Sequence, residues 1–414
     1  MTRLFSLALR NLFRNGRRTA ITASAIASGL MLVIMMVALQ AGQYADMLRI
    51  GISTLAGHVV VQADGWQEER EPEQLLSGAD AIRSELAAAF PDATVTPRLY
   101  LGGLLTSPYN SSGVMLRGGV PSAEAAVDTL DDKIVQGEWL ADDDDRGIII
   151  GVHLAESLQV EIGDRVVYMG QTEAQDEMVS RMFRVRGIFR TGGSELDGMT
   201  ALATLAAAQE LIERPDVAHQ VALHIPDAAA SPEAWAKAEQ LVSAPGRDVL
   251  EWPDALPSLV TFIEIDRVSG DVMMAVMGLI VAMGVLNTVL MSVLERTKEF
   301  GVLMAIGMRP RRLGLLVLLE SALLGVLGSL VGTLFGSLIV AYLVAYGLDY
   351  SGMMGETMEM EGLVLSTVMF GAWDFDRMGA YVLATIVVTV LAGAWPAWHL
   401  TRLEPVDAMR AASA

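Results

Sequence analysis

The densest chemistry in the chain lies in Glu295 to Arg312, ERTKEFGVLMAIGMRPRR, where Glu295, Arg296, Lys298 and Glu299 fall within five residues. Side chains of both signs at that spacing suit charge-assisted hydrogen bonds to a partner. An apolar half-turn pattern follows, and Gly307 and Pro310 supply a stop signal. A loop that only reversed direction would need a few polar residues. This one reads as a structured element presenting a docking surface.

Little else points to catalysis. No G-x-x-x-x-G-K-[ST] occurs, and no Gly-Lys pair at all, so the chain has no phosphate-binding loop of its own. His58, His153, His219, His224 and His399 are scattered, and their plainer reading is structural. The run Asp142 to Asp145 lacks the alternating ligand spacing of a calcium loop and reads as a solvated turn. The acidic, Met-rich stretch Ser351 to Gly362 has no histidine to support soft-metal binding and reads as a loop cap. No cysteine is present, which leaves no disulfide framework and no thiol chemistry. The expectation is therefore no catalytic residue, no metal and no cofactor in this chain.

The elements that position these residues follow from composition. Of 414 residues, 52% are apolar and only 19% charged, yet the net charge is -20. The two properties sit in different places. Residues 20–43, 272–294, 313–348 and 379–400 are nearly charge-free and long enough, at about 20 residues for a 30 Å hydrocarbon core, to span a bilayer as helices. Residues 44–271 have the composition of a soluble domain. The fold class expected is a membrane protein with four transmembrane helices, one plus three, and a large α+β domain between the first two. The first span is longer than a signal-peptide core and lacks a clean cleavage site, so it reads as a retained anchor.

Charge near the spans sets orientation. Arg3, Arg10, Arg14, Arg17 and Arg18 precede the first span. Arg296, Lys298, Arg309, Arg311 and Arg312 lie between the second and third, and Arg402 and Arg410 follow the fourth. The loop 349–378 is acidic. Both termini, with the tail 401–414, and the segment 295–312 are expected in the cytoplasm, and residues 44–271 outside it.

Residues 1–19 read as an amphipathic helix, with Leu4, Leu7, Ala8, Asn11 and Leu12 on one face, lying on anionic lipid or serving as the positive-inside signal alone. In the outer region, strands are expected at 58–62, 94–105, 114–120, 147–151, 165–169, 182–189 and 220–225. Helices are expected at 79–90, 201–213 and 233–243, in one or two subdomains. Gly328, Gly332 and Gly336 form a stripe that admits another helix backbone, from this chain or a second copy. Glu320 is the one acid inside a span, where a central charge costs about 2.5–3.5 kcal/mol. It lies roughly 10 Å along the helix from Arg312, within reach of the interface or of a basic partner, and reads as a structural or gating contact.

With these residues in view, the chain resembles the FtsX-like permease family of ABC transporters, which includes MacB-type and lipoprotein-releasing Lol-type permeases. The resemblance rests on ERTKEFGVLMAIGMRPRRL, on the opening SLALRNLFRNGRRTAIT, on GHVVVQADGW, on GIIIGVHLAESLQVEIGDRVVYM with FRVRGIFRTGGSELD, and on AWHLTRLEPVDAMRA. It implies a bacterial inner-membrane, multi-pass permease that is not itself an enzyme. A separate cytoplasmic ATPase dimer would hold the ATP and Mg, and a second permease copy or paralogue would complete the assembly. Membrane lipids, and a periplasmic lipoprotein carrier or adaptor, are further implied partners; nucleic acid is not. The segment after Leu294 would be the coupling helix, with Glu295, Arg296, Lys298 and Glu299 making charged contacts. Phe300, Leu303 and Met304 would form the apolar anchor, Gly301 would belong to the same coupling segment, and Gly307 and Pro310 would end the helix. ATP-driven closure would reach the outer domain without substrate crossing the bilayer. Lipoprotein release, efflux of peptides or drugs, and regulation of cell-wall hydrolases all stay open.

Overall fold

The computed structural model describes residues 2–14, 16–128, 130–172, 177–354, 357–360 and 363–402, with backbone alone at 2–3, 171–172, 177, 353–354, 357–360 and 363–366. Glu356, Glu361 and the tail from residue 403 on, with Arg410, lie outside these residues. Four described helices are long and apolar enough to cross a membrane: Gly16–Ala56, Pro257–Glu295, Pro310–Tyr346 and Phe375–Leu400. One precedes the large α/β domain and three follow it, as the hydropathy pattern predicts. The chain forms two compact units, one of residues 1–45, 264–348 and 368–414 and the other of 46–263 and 349–367.

The chain opens with α1 (Thr2–Arg14) and α2 (Gly16–Gly51). The α/β unit then runs β1 (Val59–Ala63), α3 (Ala79–Ala89), β2 (Thr94–Thr106), β3 (Ser111–Gly119), α4 (Pro121–Val127) and β4 (Ile134–Gly137). It continues through β5 (Gly147–Gly151), α5 (Val152–Leu158), β6 (Arg165–Thr172), β7 (Glu177–Phe189) and β8 (Thr200–Thr204). It closes with α6 (Leu205–Leu211), β9 (Gln220–His224), α7 (Ser231–Val242) and β10 (Arg247–Glu251).

The strands form one ten-stranded sheet in the order β10-β1-β9-β2-β3-β8-β5-β7-β4, with β6 pairing β2 and β7. Two apolar cores share it. Val59, Val61, Val221 and Leu223 pack with Ile82 and Leu86 of α3 and Ala234 and Ala238 of α7. Leu99, Leu105, Leu116, Ile148, Val166, Phe183 and Val185 pack with α5 and α6 in the second. The 13-residue strand β2 belongs to both, with Val95 in one core and Leu99 in the other. Full burial of each such aliphatic or aromatic side chain contributes about 1.5–3 kcal/mol.

Residues 201–213 are a correction, because the first four are strand and only Leu205–Leu211 is helix. An alanine-rich run has no period that separates a buried strand from a helix. The switch is made by Thr204, whose hydroxyl accepts from the Ala207 N–H as a helix cap. The acidic run closes turns: Asp142 accepts from Ser122, Asp144 from Arg186 and Asp145 from Thr204. Thr357–Met360, in the Met-rich stretch expected to be a loop, is a strand that pairs antiparallel with Leu363–Ser366 just beyond it.

Two histidines are built into this domain. His219 stacks on Trp66 at 4.0 Å and accepts from the Tyr100 N–H, and burial lowers its pKa to about 4. Burial, reinforced by Arg98, lowers that of His224 to about 3. Unfolded histidine binds its proton near pH 6.5, so below that pH the unfolded chain takes up protons the native one refuses. Stability is then lost at about 1.4 kcal/mol per pH unit per group as pH falls from 6.5 toward 4 for His219 and toward 3 for His224. Calorimetry of the purified protein should show the domain transition dropping between pH 7 and pH 5. His219→Phe should flatten that slope; an unchanged slope would refute the assignment.

The membrane unit comprises α1, most of α2, and then α8 (Pro257–Glu295), α9 (Thr297–Ala305), α10 (Pro310–Tyr346) and α11 (Phe375–Leu400). A Cβ on Gly332 would lie 2.8 Å from the Ala27 carbonyl oxygen, and those on Gly328 and Gly336 would meet Ile26 and Ile34. The glycine stripe is therefore filled by the first span of the same chain. Of the two uses left open by the sequence, packing within this chain is the one these contacts make.

Candidate docking site between the second and third spans

The site begins where α8 stops. Arg296 breaks the helix, α9 restarts at Thr297, and Gly307 ends it at φ +102°, a conformation that favours glycine. The Gly307 N–H donates to the Met304 carbonyl and the Met308 N–H to that of Leu303, each at 2.9 Å, satisfying carbonyls the helix end would orphan. Pro310 then opens α10, where its missing N–H costs nothing.

α9 has two apolar faces, and the structure separates them. Phe300 is 1% exposed and Met304 8%, packed with Val293, Leu313, Val317, Ala397 and Leu400; Gly301 is buried and Leu303 half-buried on the same side. Phe300, Leu303 and Met304, the anchor the resemblance implied, thus pack α9 against the bundle, with Leu303 still half-exposed. The outward stripe is Lys298, Val302, Ala305 and Ile306, with Val302 52% and Ile306 79% exposed. Leu294 adjoins it, and exposed Arg309, Arg311 and Arg312 follow it.

The charged residues divide similarly. Arg296 is buried, donates to Glu299 at 3.1 Å and to both Glu320 oxygens at 3.2 Å, and lies over the Phe300 ring. The Glu320 carboxylate also accepts from the Asn11 amide at 2.7 Å. Arg14 donates to both Glu299 oxygens at 2.7 and 2.8 Å, and Arg18 to Glu295 at 2.7 Å and to the Thr288 carbonyl at 2.9 Å. The hydrogen bond from Arg14, with that from Arg296, holds the Glu299 carboxyl below the usual carboxylate range. Arg296 is thus paired inward, and Glu295 and Glu299 are engaged by the N-terminal helices. Among the described residues, Lys298 makes no ion pair.

α1 therefore braces α9. Its Ala8 and Leu12 are buried and Asn11 reaches Glu320, while Phe5, Leu9 and Phe13 stay exposed four residues apart. A cavity of about 50 Å³, lined by Val289, Phe300 and Leu324 as well as by Asn11, Arg296 and Glu320, lies beside this network. Chemically the site offers an apolar stripe beside a cationic end, on a helix whose inner face is locked. No group of three or more metal-type side chains is present among the described residues. Val302 and Ile306 are the residues that sequence reasoning missed; their four-residue spacing is visible in the sequence, but it competes with that of Phe300 and Met304.

Comparison with known proteins covers the chain nearly end to end. The model of the MacB-like periplasmic core domain matches residues 19–241, and that of the FtsX-like permease C-terminal domain matches residues 272–405. The chain is 25% identical over 388 residues to the lipoprotein-releasing system transmembrane protein LolC of Xylella fastidiosa strain 9a5c, covering 88% of this chain and 92% of that one. It is 31% identical over 136 residues to the macrolide export ATP-binding/permease protein MacB of Psychrobacter arcticus, covering 33% of this chain and 18% of that one. The crystal structure of the periplasmic region of MacB from Actinobacillus actinomycetemcomitans superposes with a TM-score of 0.37 at 14% identity, covering 51% of this chain and 94% of that one.

Proposed function

Because this chain belongs to the family of FtsX-like ABC transporter permeases that carry a MacB-like periplasmic core domain, we propose that it couples ATP hydrolysis by a separate cytoplasmic ATPase dimer to movement of its periplasmic domain, releasing lipid-anchored protein from the outer leaflet. The observation that carries the reading is the outward stripe of α9. An exposed Val302–Ile306 patch on a helix locked behind by Phe300 and Arg296 suits a groove on a partner, and acidic groups there would match Arg309, Arg311 and Arg312. The basic residues around this segment favour a cytoplasmic position for it and for both termini. ATP and Mg are assigned to the partner, since the chain has no phosphate-binding loop.

Length of match supports lipoprotein release over macrolide export. The LolC relative pairs with 88% of this chain, whereas the MacB relative pairs with 33%. Efflux of peptides or drugs, or control of cell-wall hydrolases, would use the same coupling with another cargo. The test is reconstitution with the cognate ATPase in proteoliposomes carrying a fluorescent triacylated protein. ATP-dependent transfer of that protein to a soluble acceptor is the expected result. Retention of it together with ATP-dependent macrolide transport would overturn the cargo assignment.

A further inference from the structure

The first-span helix does not end in open loop. Its last turn, Ile52–Ala56, widens to a π-helical turn closed by Gly57, whose N–H donates to the Ile52 carbonyl at 2.6 Å. Three consecutive carbonyls of that turn are taken by side chains from three strands of the α/β unit. Arg98 of β2 donates to Ser53 and Thr54 at 3.1 and 2.9 Å, Arg117 of β3 to Thr54 at 3.3 Å, and Gln220 of β9 to Leu55 at 3.0 Å. Helix ends ordinarily leave these acceptors to water, and cations there also meet the negative end of the helix dipole.

The two arginines are held in turn from α4. Arg98 is fully buried and grips both Glu124 oxygens at 2.8 and 2.9 Å, while Arg117 pairs with Asp128 at 3.3 Å and lies 3.7 Å from Glu124. Asp128 also accepts from the Thr54 hydroxyl at 3.3 Å. Burial alone would raise the Glu124 carboxyl, but Arg98 and Arg117 outweigh it and hold its pKa at about 2. Gly57 sits at φ +97° with a would-be Cβ 2.9 Å from Ala222, so the chain turns tightly from this grip into β1.

We propose that Arg98, Arg117, Glu124, Asp128 and Gln220 form a rigid joint that makes the end of the first-span helix and the sheet of the outer domain move as one body. The joint rests on the coupling proposed above and names the positioning residues through which it acts. A buried ion-pair cluster is a poor stability device, since well-packed apolar substitutes often fold as well or better. A bidentate arginine clamp on a helix end does something apolar residues cannot: it fixes direction at several carbonyls at once. Rare π-helical turns also tend to mark functional sites.

The chain's lack of cysteine lets two introduced cysteines report on the joint alone. Spin labels at exposed Arg49→Cys on the helix and exposed Glu85→Cys on α3 would be measured in the full-length chain in proteoliposomes. The reference chain should give one narrow distance distribution. The apolar quadruple variant Arg98→Met, Arg117→Met, Glu124→Leu, Asp128→Leu should keep its thermal midpoint within a few degrees yet broaden that distribution at least twofold. In the complex it should lose cargo release tenfold or more with ATPase binding retained. Arg98→Lys, which keeps charge but not the fork, provides a milder variant and should broaden the distribution without unfolding. A narrow distribution in both folded variants would overturn the joint. The distance readout needs no ATP, so failure of the reference complex to release cargo would count against the coupling reading and leave the joint standing.

Discussion

Val302→Asp with Ile306→Asp should weaken capture of the partner ATPase by about 100-fold or more while leaving the permease folded. Both side chains face outward, at 52% and 79% exposure, so the folded chain loses little packing when they change. An interface anchor removed at its centre costs about 2 kcal/mol or more, and a carboxylate placed there must be desolvated besides. About 2.8 kcal/mol corresponds to 100-fold in affinity. Phe300→Asp supplies the contrast. Phe300 is packed between Val293 and Leu313, so its replacement should remove folded protein from the membrane, where the double aspartate variant should accumulate normally. The measurement is the stoichiometry of ATPase co-purified with each variant beside its thermal midpoint. Wild-type stoichiometry in the Val302/Ile306 variant would show that the stripe is not the docking surface.

That contrast also shows where sequence reasoning stopped. Apolar runs between Arg18 and Asp46, or Asp271 and Glu295, leave few structures other than spanning helices, because backbone groups in lipid must bond within their own segment. The short apolar run at 147–151 and the alternation in 220–225 likewise place β5 and β9. On α9 the pattern is degenerate, with 300, 303 and 304 on one face and 302, 305 and 306 on another. Nothing local says which face meets the bundle. The tie is broken by Arg296, which turns inward because Glu320, on another helix, receives it. Arg14 and Glu299 lie 285 residues apart, as do other halves of contacts that no window of sequence contains. The outer joint was invisible for the same reason. Arg98 and Arg117 look like ordinary strand arginines until the fold brings Ser53 and Thr54 to them.

Glu320→Leu should destabilise the membrane unit by about 3–5 kcal/mol, the usual cost of stranding one half of a buried ion pair. Arg296 and Glu320 expose only 11% and 15% of their side chains, and removing the acid leaves the guanidinium with Glu299 alone. Arg296→Met should cost a similar amount, since Glu320 would keep only the Asn11 amide. The double variant Arg296→Met with Glu320→Leu should recover most of the loss, because apolar side chains of similar volume suit the surrounding helices. Thermal unfolding of the four proteins in one detergent closes the cycle and isolates the pairwise energy. If the double variant is as unstable as the sum of the singles, the pair is not a local unit. Recovery of stability without ATPase-stimulated release would carry the argument further. It would mean that the charges are retained to hold α9 at a fixed angle to α10, with its Val302–Ile306 stripe turned outward, a direction that an apolar contact between the same helices does not specify.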